Sequence, residues 1–124
     1  MPKKILVIDD EGLVIESLKR LLKREGYNTI IAKNGIEAME RVKEIDFDLI
    51  VTDIRMPGVD GIQIIKNIRE FLAQGKKDPI PEILITGYAS EESFKEAQHL
   101  QVADYIYKPF DTKEFLEIVK KNLK

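Results

Sequence analysis

Short apolar runs alternate five times with amphipathic patterns along the chain, and this alternation restricts the fold more than any other feature. The runs are rich in branched residues and too short to be helices, which predicts buried strands. They lie at residues 5–8, 29–32, 45–51, 83–86 and 105–107. A strand–helix unit repeated five times predicts an α/β domain with a parallel sheet, helices on both faces and right-handed crossovers.

Residues that favour helix N-termini stand before four of the helical patterns. Asn34 is followed by Glu37, and Asp111 by Glu114, at the spacing of a capping box. Asp60 precedes the third helical pattern and Ser90 precedes the fourth. We therefore expect these four helices to begin directly after their capping residues.

The apolar residues within each helical pattern predict the face that is buried. The first helix is expected to end at Gly26 and to bury Val14, Leu18, Leu21 and Leu22. The fourth helix carries few apolar residues, namely Phe94, Ala97 and Leu100. We therefore expect the fourth helix to be weakly anchored and free to shift.

Composition limits the class of protein and the compartment. A chain of 124 residues with 44% hydrophobic residues suits one domain, residues 1–124, with a substantial core. A net charge of −2 predicts no general attraction to nucleic acid or anionic lipid. The chain lacks cysteine, a signal-peptide pattern and an apolar run of the ~20 residues that span a membrane. We expect a cytoplasmic domain without disulfides or thiolate chemistry.

Polar side chains follow the predicted strands at the edge where open α/β sheets bind their ligands. Asp9 and Asp10 follow the first strand, Asp53 the third, Thr86 the fourth and Lys108 the fifth. If the strand order is 2-1-3-4-5, neighbouring strands lie about 4.8 Å apart, so Asp10 and Asp53 can share one cation. Lys108 would then be within reach of Asp53.

Carboxylates that converge in one pocket repel each other, by about 1–4 kcal/mol for each pair at 4 Å. Lys108 offsets part of this charge, and a divalent cation would offset the rest. Oxygen ligands favour Mg²⁺ or Mn²⁺ over zinc. A cation beside a carboxylate, a lysine and a hydroxyl predicts phosphoryl transfer, with an aspartate as a possible nucleophile.

Five elements of the sequence together resemble the receiver domain of response regulators in two-component signalling. These are the Asp9-Asp10 pair, the segment Thr-Asp-Ile-Arg-Met-Pro-Gly around Asp53, Thr86, Tyr105, and Lys108-Pro109-Phe110. The resemblance covers essentially the whole chain. It implies a flavodoxin-like, doubly wound, five-stranded parallel sheet in the order 2-1-3-4-5 with five helices.

The resemblance also implies the reaction. A phosphoryl group passes to Asp53 from the phosphohistidine of a sensor histidine kinase or a phosphotransfer protein. By the same resemblance, Asp10, Asp53 and the backbone carbonyl of Arg55 ligate Mg²⁺, and Asp9 acts mainly through a bound water. Thr86 and Lys108 hold the phosphoryl oxygens.

By the same resemblance, phosphorylation would change the positions of Thr86 and Tyr105. This change would alter the face formed by helix 4, strand 5 and helix 5. A downstream target or an output domain would bind there. The domain would not be an enzyme beyond its own aspartyl phosphorylation and dephosphorylation. The resemblance further implies a cis bond between Lys108 and Pro109, and we expect bulky Tyr88 to shield the site from water.

Three alternatives from other classes of protein fit the sequence less well. A flavodoxin-type cofactor binder needs a Gly/Ser/Thr-rich loop after the first strand, where this chain has Asp9-Asp10-Glu11-Gly12. A phosphatase with an aspartate nucleophile would place an Asp-x-Asp pattern there, which also differs. A receiver-shaped module that acts only by binding proteins would not require the set of Asp53, Thr86 and Lys108.

Overall fold

The structure is a computed structural model that describes residues 2–56, 58–87 and 90–123. Strands and helices alternate along the whole chain. The strands are β1 (Lys4–Ile8), β2 (Asn28–Ala32), β3 (Leu49–Asp53), β4 (Glu82–Thr86) and β5 (Asp104–Tyr107). The helices are α1 (Gly12–Arg24), α2 (Gly35–Glu44), α3 (Gly61–Gln74), α4 (Glu91–Leu100) and α5 (Thr112–Asn122).

All five strands are parallel and lie in the order β2-β1-β3-β4-β5, which confirms the predicted topology. In this order the chain turns back between β1 and β3, so loops on the two sides of that point diverge and leave a crevice at the carboxyl ends of the strands. Ile8 lies opposite Thr52, and Asp53 lies opposite Ile85. This register brings the ends of β1, β3 and β4 to one edge.

Alternation of side chains along β1 divides the core between the two faces of the sheet. Ile5 and Val7 belong to the layer under α1 and α5, together with Leu22 and Phe115. Leu6 and Ile8 belong to the layer under α2 and α3. Burial of one such side chain contributes about 1.5–3 kcal/mol, so both layers hold the helices firmly on the sheet.

A smaller apolar cluster lies beside α4. It contains Ile54, Ile62, Ile65, Leu84 and Ala97. Ala97 is the only residue of α4 that is fully buried. None of the described helices is both long and apolar enough to cross a membrane.

The predicted capping residues all stand at the N-termini of their helices. The side chains of Asn34, Asp60, Ser90 and Asp111 each accept a backbone N–H of the first turn. Helix α1 ends as predicted before Gly26, whose φ of 84° lies in the left-handed region that favours glycine.

Four strands begin one residue earlier than predicted, and two larger details differ from the sequence prediction. Helix α1 buries Ile15 with Leu18 and Leu22, whereas Val14 and Leu21 are only half-buried. The third strand begins at Leu49 instead of residue 45, because Ile45 caps the C-terminus of α2.

Candidate functional site

Asp53 is the last residue of β3, and only 5% of its surface is exposed. Lys108, which follows β5, crosses the edge of the sheet and donates from Nζ to Oδ2 of Asp53 at 2.8 Å. The same ammonium lies 3.6 Å from Oδ2 of Asp9, which follows β1. Side chains from three strands thus meet at one point, as the strand order predicts.

The second carboxylate oxygen of Asp53 faces the loop that follows it. The backbone N–H of Arg55 donates to Oδ1 at 3.2 Å, so both oxygens of Asp53 have a protein donor. The Arg55 side chain itself is exposed at the rim. These two donors therefore hold the Asp53 carboxylate in one orientation.

Asp9 is buried, and its Oδ1 accepts the backbone N–H of Glu11 at 3.0 Å. Burial raises the pKa of the Asp9 carboxyl above its ordinary value of 3.8, and the negative charges of Asp53 and Glu11 raise it further. The hydrogen bond from Glu11 and the charge of Lys108 act in the opposite direction but do not cancel this increase. Asp9 therefore carries unfavourable negative charge that a cation would relieve.

The pKa of the Lys108 ammonium is raised as well. Burial on its own lowers the pKa of the Lys108 ammonium, but the bond to Asp53 and the attraction of Asp9, Asp53 and Glu11 together raise it. Lys108 is accordingly a fixed positive charge at neutral pH.

Three carboxylates are close enough to hold one ion. Asp9, Glu11 and Asp53 each offer an oxygen, and these atoms all lie within 4.8 Å of one another. An oxygen-only donor set with one ammonium nearby fits a hard divalent cation such as Mg²⁺. Asp10 is exposed and lies outside this group, while Glu11, which the sequence analysis did not assign to the site, lies inside it.

Thr86 and Tyr105 lie on the neighbouring strands. Thr86 is fully buried at the end of β4, and its register partner on β5 is Tyr107. The Tyr105 ring contacts Phe94 of α4 edge-on, with centroids 5.3 Å apart, and Tyr107 at 5.1 Å. Burial raises the pKa of the Tyr105 hydroxyl, and Tyr107 adds to this effect. That hydroxyl is buried without a hydrogen-bond partner among the residues the structure describes.

The bond between Lys108 and Pro109 is cis, as the resemblance implies. His99, the only histidine of the chain, is exposed on α4. Tyr88, the predicted shield of the site, lies outside the described residues.

The chain is similar to known proteins over almost its entire length. The sequence model of the response regulator receiver domain family matches residues 5–120. The structure of the response regulator TrrA from Thermotoga maritima, solved in complex with Mg²⁺ and BeF, is 36% identical, with a TM-score of 0.83. The similarity covers 98% of this chain and 99% of TrrA.

Two further structures show the same fold. A CheY-like receiver domain protein from Methanospirillum hungatei is 28% identical with a TM-score of 0.89, covering 99% of this chain and 94% of that one. A response regulator from Burkholderia pseudomallei, solved with a phosphorylated aspartic acid, a calcium ion and citrate, is 26% identical with a TM-score of 0.83. That similarity covers 98% of this chain and 68% of the Burkholderia protein.

The family match and the geometry agree. The match extends from β1 into α5, and it includes every strand end that contributes a side chain to the acidic site. The chain therefore belongs to the response regulator receiver domain family and is a receiver domain of two-component signalling.

Proposed function

We propose that Asp53 is the phosphoacceptor of this receiver domain and that residues 1–124 act as one such domain. The observation that carries this assignment is the 2.8 Å contact between Lys108 Nζ and Asp53 Oδ2 at the edge of the sheet. A carboxylate that is buried, held in one orientation and paired with the ammonium of a lysine has the properties of an aspartyl nucleophile for phosphoryl transfer.

The donor is the phosphohistidine of a sensor histidine kinase or a phosphotransfer protein. A carboxylate oxygen of Asp53 forms the new P–O bond while the P–N bond of the donor breaks, and the electron pair of that bond goes to the imidazole nitrogen. Lys108 neutralises a phosphoryl oxygen of the product, and the Thr86 hydroxyl donates to another. The domain promotes this transfer and the later hydrolysis on itself alone and turns over no separate substrate.

A divalent cation, Mg²⁺ or alternatively Mn²⁺, supplies electrostatic stabilisation of the phosphoryl oxygens when bound. We propose Asp9, Asp10, Asp53 and the backbone carbonyl of Arg55 as the residues that hold it, with Asp9 acting through water. The burial of Asp9 and Asp53 and the raised pKa of the Asp9 carboxyl support this assignment, since each favours an added positive charge.

The phosphorylated domain presents the face of α4, β5 and α5 to a downstream target or an output domain. The aromatic contacts of Tyr105 with Phe94 and Tyr107 support this, because they connect the sheet directly to α4. We place the domain in the cytoplasm, where the absence of cysteine suits reducing conditions.

Mass spectrometry after treatment with acetyl phosphate and Mg²⁺ tests the phosphoacceptor. The wild-type chain should gain one phosphoryl group, and peptide mapping should place it on Asp53. Asp53→Asn should lose the label, whereas Asp78→Asn, which alters an exposed loop carboxylate, should keep it. Undiminished labelling of the same peptide in Asp53→Asn would show that the acceptor lies elsewhere.

Beryllofluoride tests the cation. It replaces the phosphoryl group without a covalent step, so it should bind to the wild-type domain only when Mg²⁺ or Mn²⁺ is present. Tight binding in excess EDTA would contradict a cation-dependent site.

A further inference from the structure

Glu11 occupies a position at the acidic site for which the fold supplies no structural reason. It is the N-cap residue of α1, but its side chain makes no capping hydrogen bond. The carboxylate is exposed, and no salt bridge joins it to a described residue. A helix cap, which is the usual reason for a polar side chain at this position, therefore does not account for it.

The backbone places the Glu11 side chain over the site. The Glu11 N–H donates to Oδ1 of Asp9, which fixes the turn between β1 and α1. A carboxylate oxygen of Glu11 then lies within 4.8 Å of an oxygen of Asp9 and of Asp53. Its charge also acts on the pKa of both Asp9 and Lys108, so the buried charged groups of the site sense it.

The three carboxylates differ in their exposure. Asp9 and Asp53 form the floor of the site and are 2% and 5% exposed, whereas Glu11 lies on the solvent side. A cation bound to the floor alone would keep its remaining ligand positions toward water. An additional carboxylate on that open side adds negative charge to the ligand set, which is how protein sites raise their affinity for hard cations.

We propose that Glu11 is a further cation-binding residue of this site and sets the affinity of the unphosphorylated domain for its divalent cation. Its exposed carboxylate would hold the cation from the solvent side, while Asp9 and Asp53 line the buried side of the site. The proposal rests on the proposed function, since it takes the phosphorylation site as the place where the cation binds. It adds to the ligand set a residue that the family resemblance does not supply.

Direct binding of Mn²⁺ to the unphosphorylated full chain tests this inference. The free ion is counted by electron paramagnetic resonance for the wild type, Glu11→Gln, Asp53→Asn and Glu16→Gln. Glu16 is an exposed acid of the same helix and serves as the matched control. Glu11→Gln should weaken Mn²⁺ binding by about tenfold or more, a typical cost of altering the surroundings of a bound metal, while Glu16→Gln should bind as the wild type does.

The variants separate the two proposals. If Asp53→Asn weakens binding and Glu11→Gln does not, the role of Glu11 is wrong and the phosphorylation site remains. If Asp53→Asn binds Mn²⁺ as tightly as the wild type, the proposed cation site at Asp53 is wrong, and the role of Glu11 falls with it, whereas labelling by acetyl phosphate still decides whether Asp53 is the phosphoacceptor.

A second readout distinguishes cation binding from a disturbed fold. Labelling by acetyl phosphate should be slower in Glu11→Gln at low Mg²⁺ and should recover as the Mg²⁺ concentration is raised. A defect of Glu11→Gln that no Mg²⁺ concentration reverses would overturn the proposal, because a changed affinity alone is always overcome by mass action.

Discussion

The guanidinium of Arg69 binds the carboxylate of Glu82 through two parallel hydrogen bonds, Nε to Oε2 at 2.8 Å and Nη2 to Oε1 at 2.7 Å. Its third nitrogen, Nη1, donates to the carbonyl of Leu100 at 2.7 Å. Glu82, at the start of β4, is only 4% exposed, so its negative charge is stabilised by Arg69 and not by water. Arg69 therefore ties the C-terminal end of α4 to α3 and to the sheet.

We expect Arg69→Met to lower the free energy of unfolding by about 3 kcal/mol, because it leaves a buried carboxylate without its partner. Urea denaturation measures the change. Lys66→Gln is the matched control on the same helix. It removes the exposed pair with Glu96 and should cost less than about 1 kcal/mol.

A double variant separates charge from packing. Adding Glu82→Met to Arg69→Met removes the unpaired carboxylate and should recover most of the lost stability, since apolar replacements of both partners are often neutral. If the double variant is no more stable than Arg69→Met, the bond to Leu100 and the packing of the side chain carry the effect instead.

The raised pKa of Asp9 predicts a pH dependence of stability in the absence of divalent cations. The folded protein holds a proton on Asp9 more tightly than the unfolded chain, whose carboxyl titrates near 3.8. The contribution of Asp9 is therefore fully favourable below that pH and is lost as the pH rises through the raised pKa. Above this range the ionised Asp9 destabilises the fold.

Asp9→Asn removes that titration. In EDTA, its melting temperature should approach that of the wild type below pH 3.8 and exceed it by a few degrees at pH 7. Mg²⁺ should then raise the melting temperature of the wild type more than that of the variant. A variant that melts below the wild type at pH 7 in EDTA would show that the ionised Asp9 is stabilising through Lys108.

Position 61 must be a glycine because the backbone of Asp53 lies too close to it for a side chain. Its N–H donates to the carbonyl of Ile54 at 2.8 Å, and a methyl group on its Cα would overlap the backbone carbonyl oxygen of Asp53. We expect Gly61→Ala to destabilise the domain by about 1–3 kcal/mol and to slow labelling of Asp53 by displacing it. Gly12→Ala is the control, since nothing lies within 4 Å of the added methyl group. Equal stability of the two variants would contradict this account.

Much of this architecture follows from the sequence because it depends on local patterns. The alternation of apolar runs and helical patterns predicts a parallel α/β sheet, and the family resemblance implies the strand order that brings Asp9, Asp53 and Lys108 to one edge. Asn34, Asp60, Ser90 and Asp111 form caps because a capping bond spans only two or three residues. Such short-range rules need no knowledge of the tertiary structure.

The features that the sequence did not reveal depend on contacts between elements. Arg69 and Glu82 are 13 residues apart on different elements, and no periodicity connects them. The small apolar content of the fourth helix predicts that it is weakly anchored. It gives no indication of the hydrogen bond that Arg69 donates to the carbonyl of Leu100. Glu11 lies in the acidic loop after β1, but its closeness to Asp53 depends on the pairing of β1 with β3, which brings the two strand ends together.

Tyr105 is the residue through which we expect phosphorylation of Asp53 to alter α4. The Tyr105 ring packs against Phe94, and its hydroxyl is buried without a hydrogen-bond partner among the described residues. An unsatisfied buried hydroxyl costs about 1–3 kcal/mol, so an arrangement in which the Tyr105 hydroxyl has a partner would regain that free energy. We therefore expect a change beside Tyr105 to shift the population of the domain between these two arrangements of the side chain.

Thr86 is placed to make that change, because it is fully buried on the strand that pairs with β5. Thr86→Ala should still accept phosphate at Asp53 but lose the coupled response of α4 and β5. Amide NMR with and without beryllofluoride measures this response over residues 90–107. Thr29→Ala, on β2 at the far edge of the sheet, should respond as the wild type does. Equal shifts of residues 90–107 in Thr86→Ala and the wild type would show that the signal reaches α4 without Thr86. In that case, a direct effect of the loop after Asp53 on α4 would have to carry it.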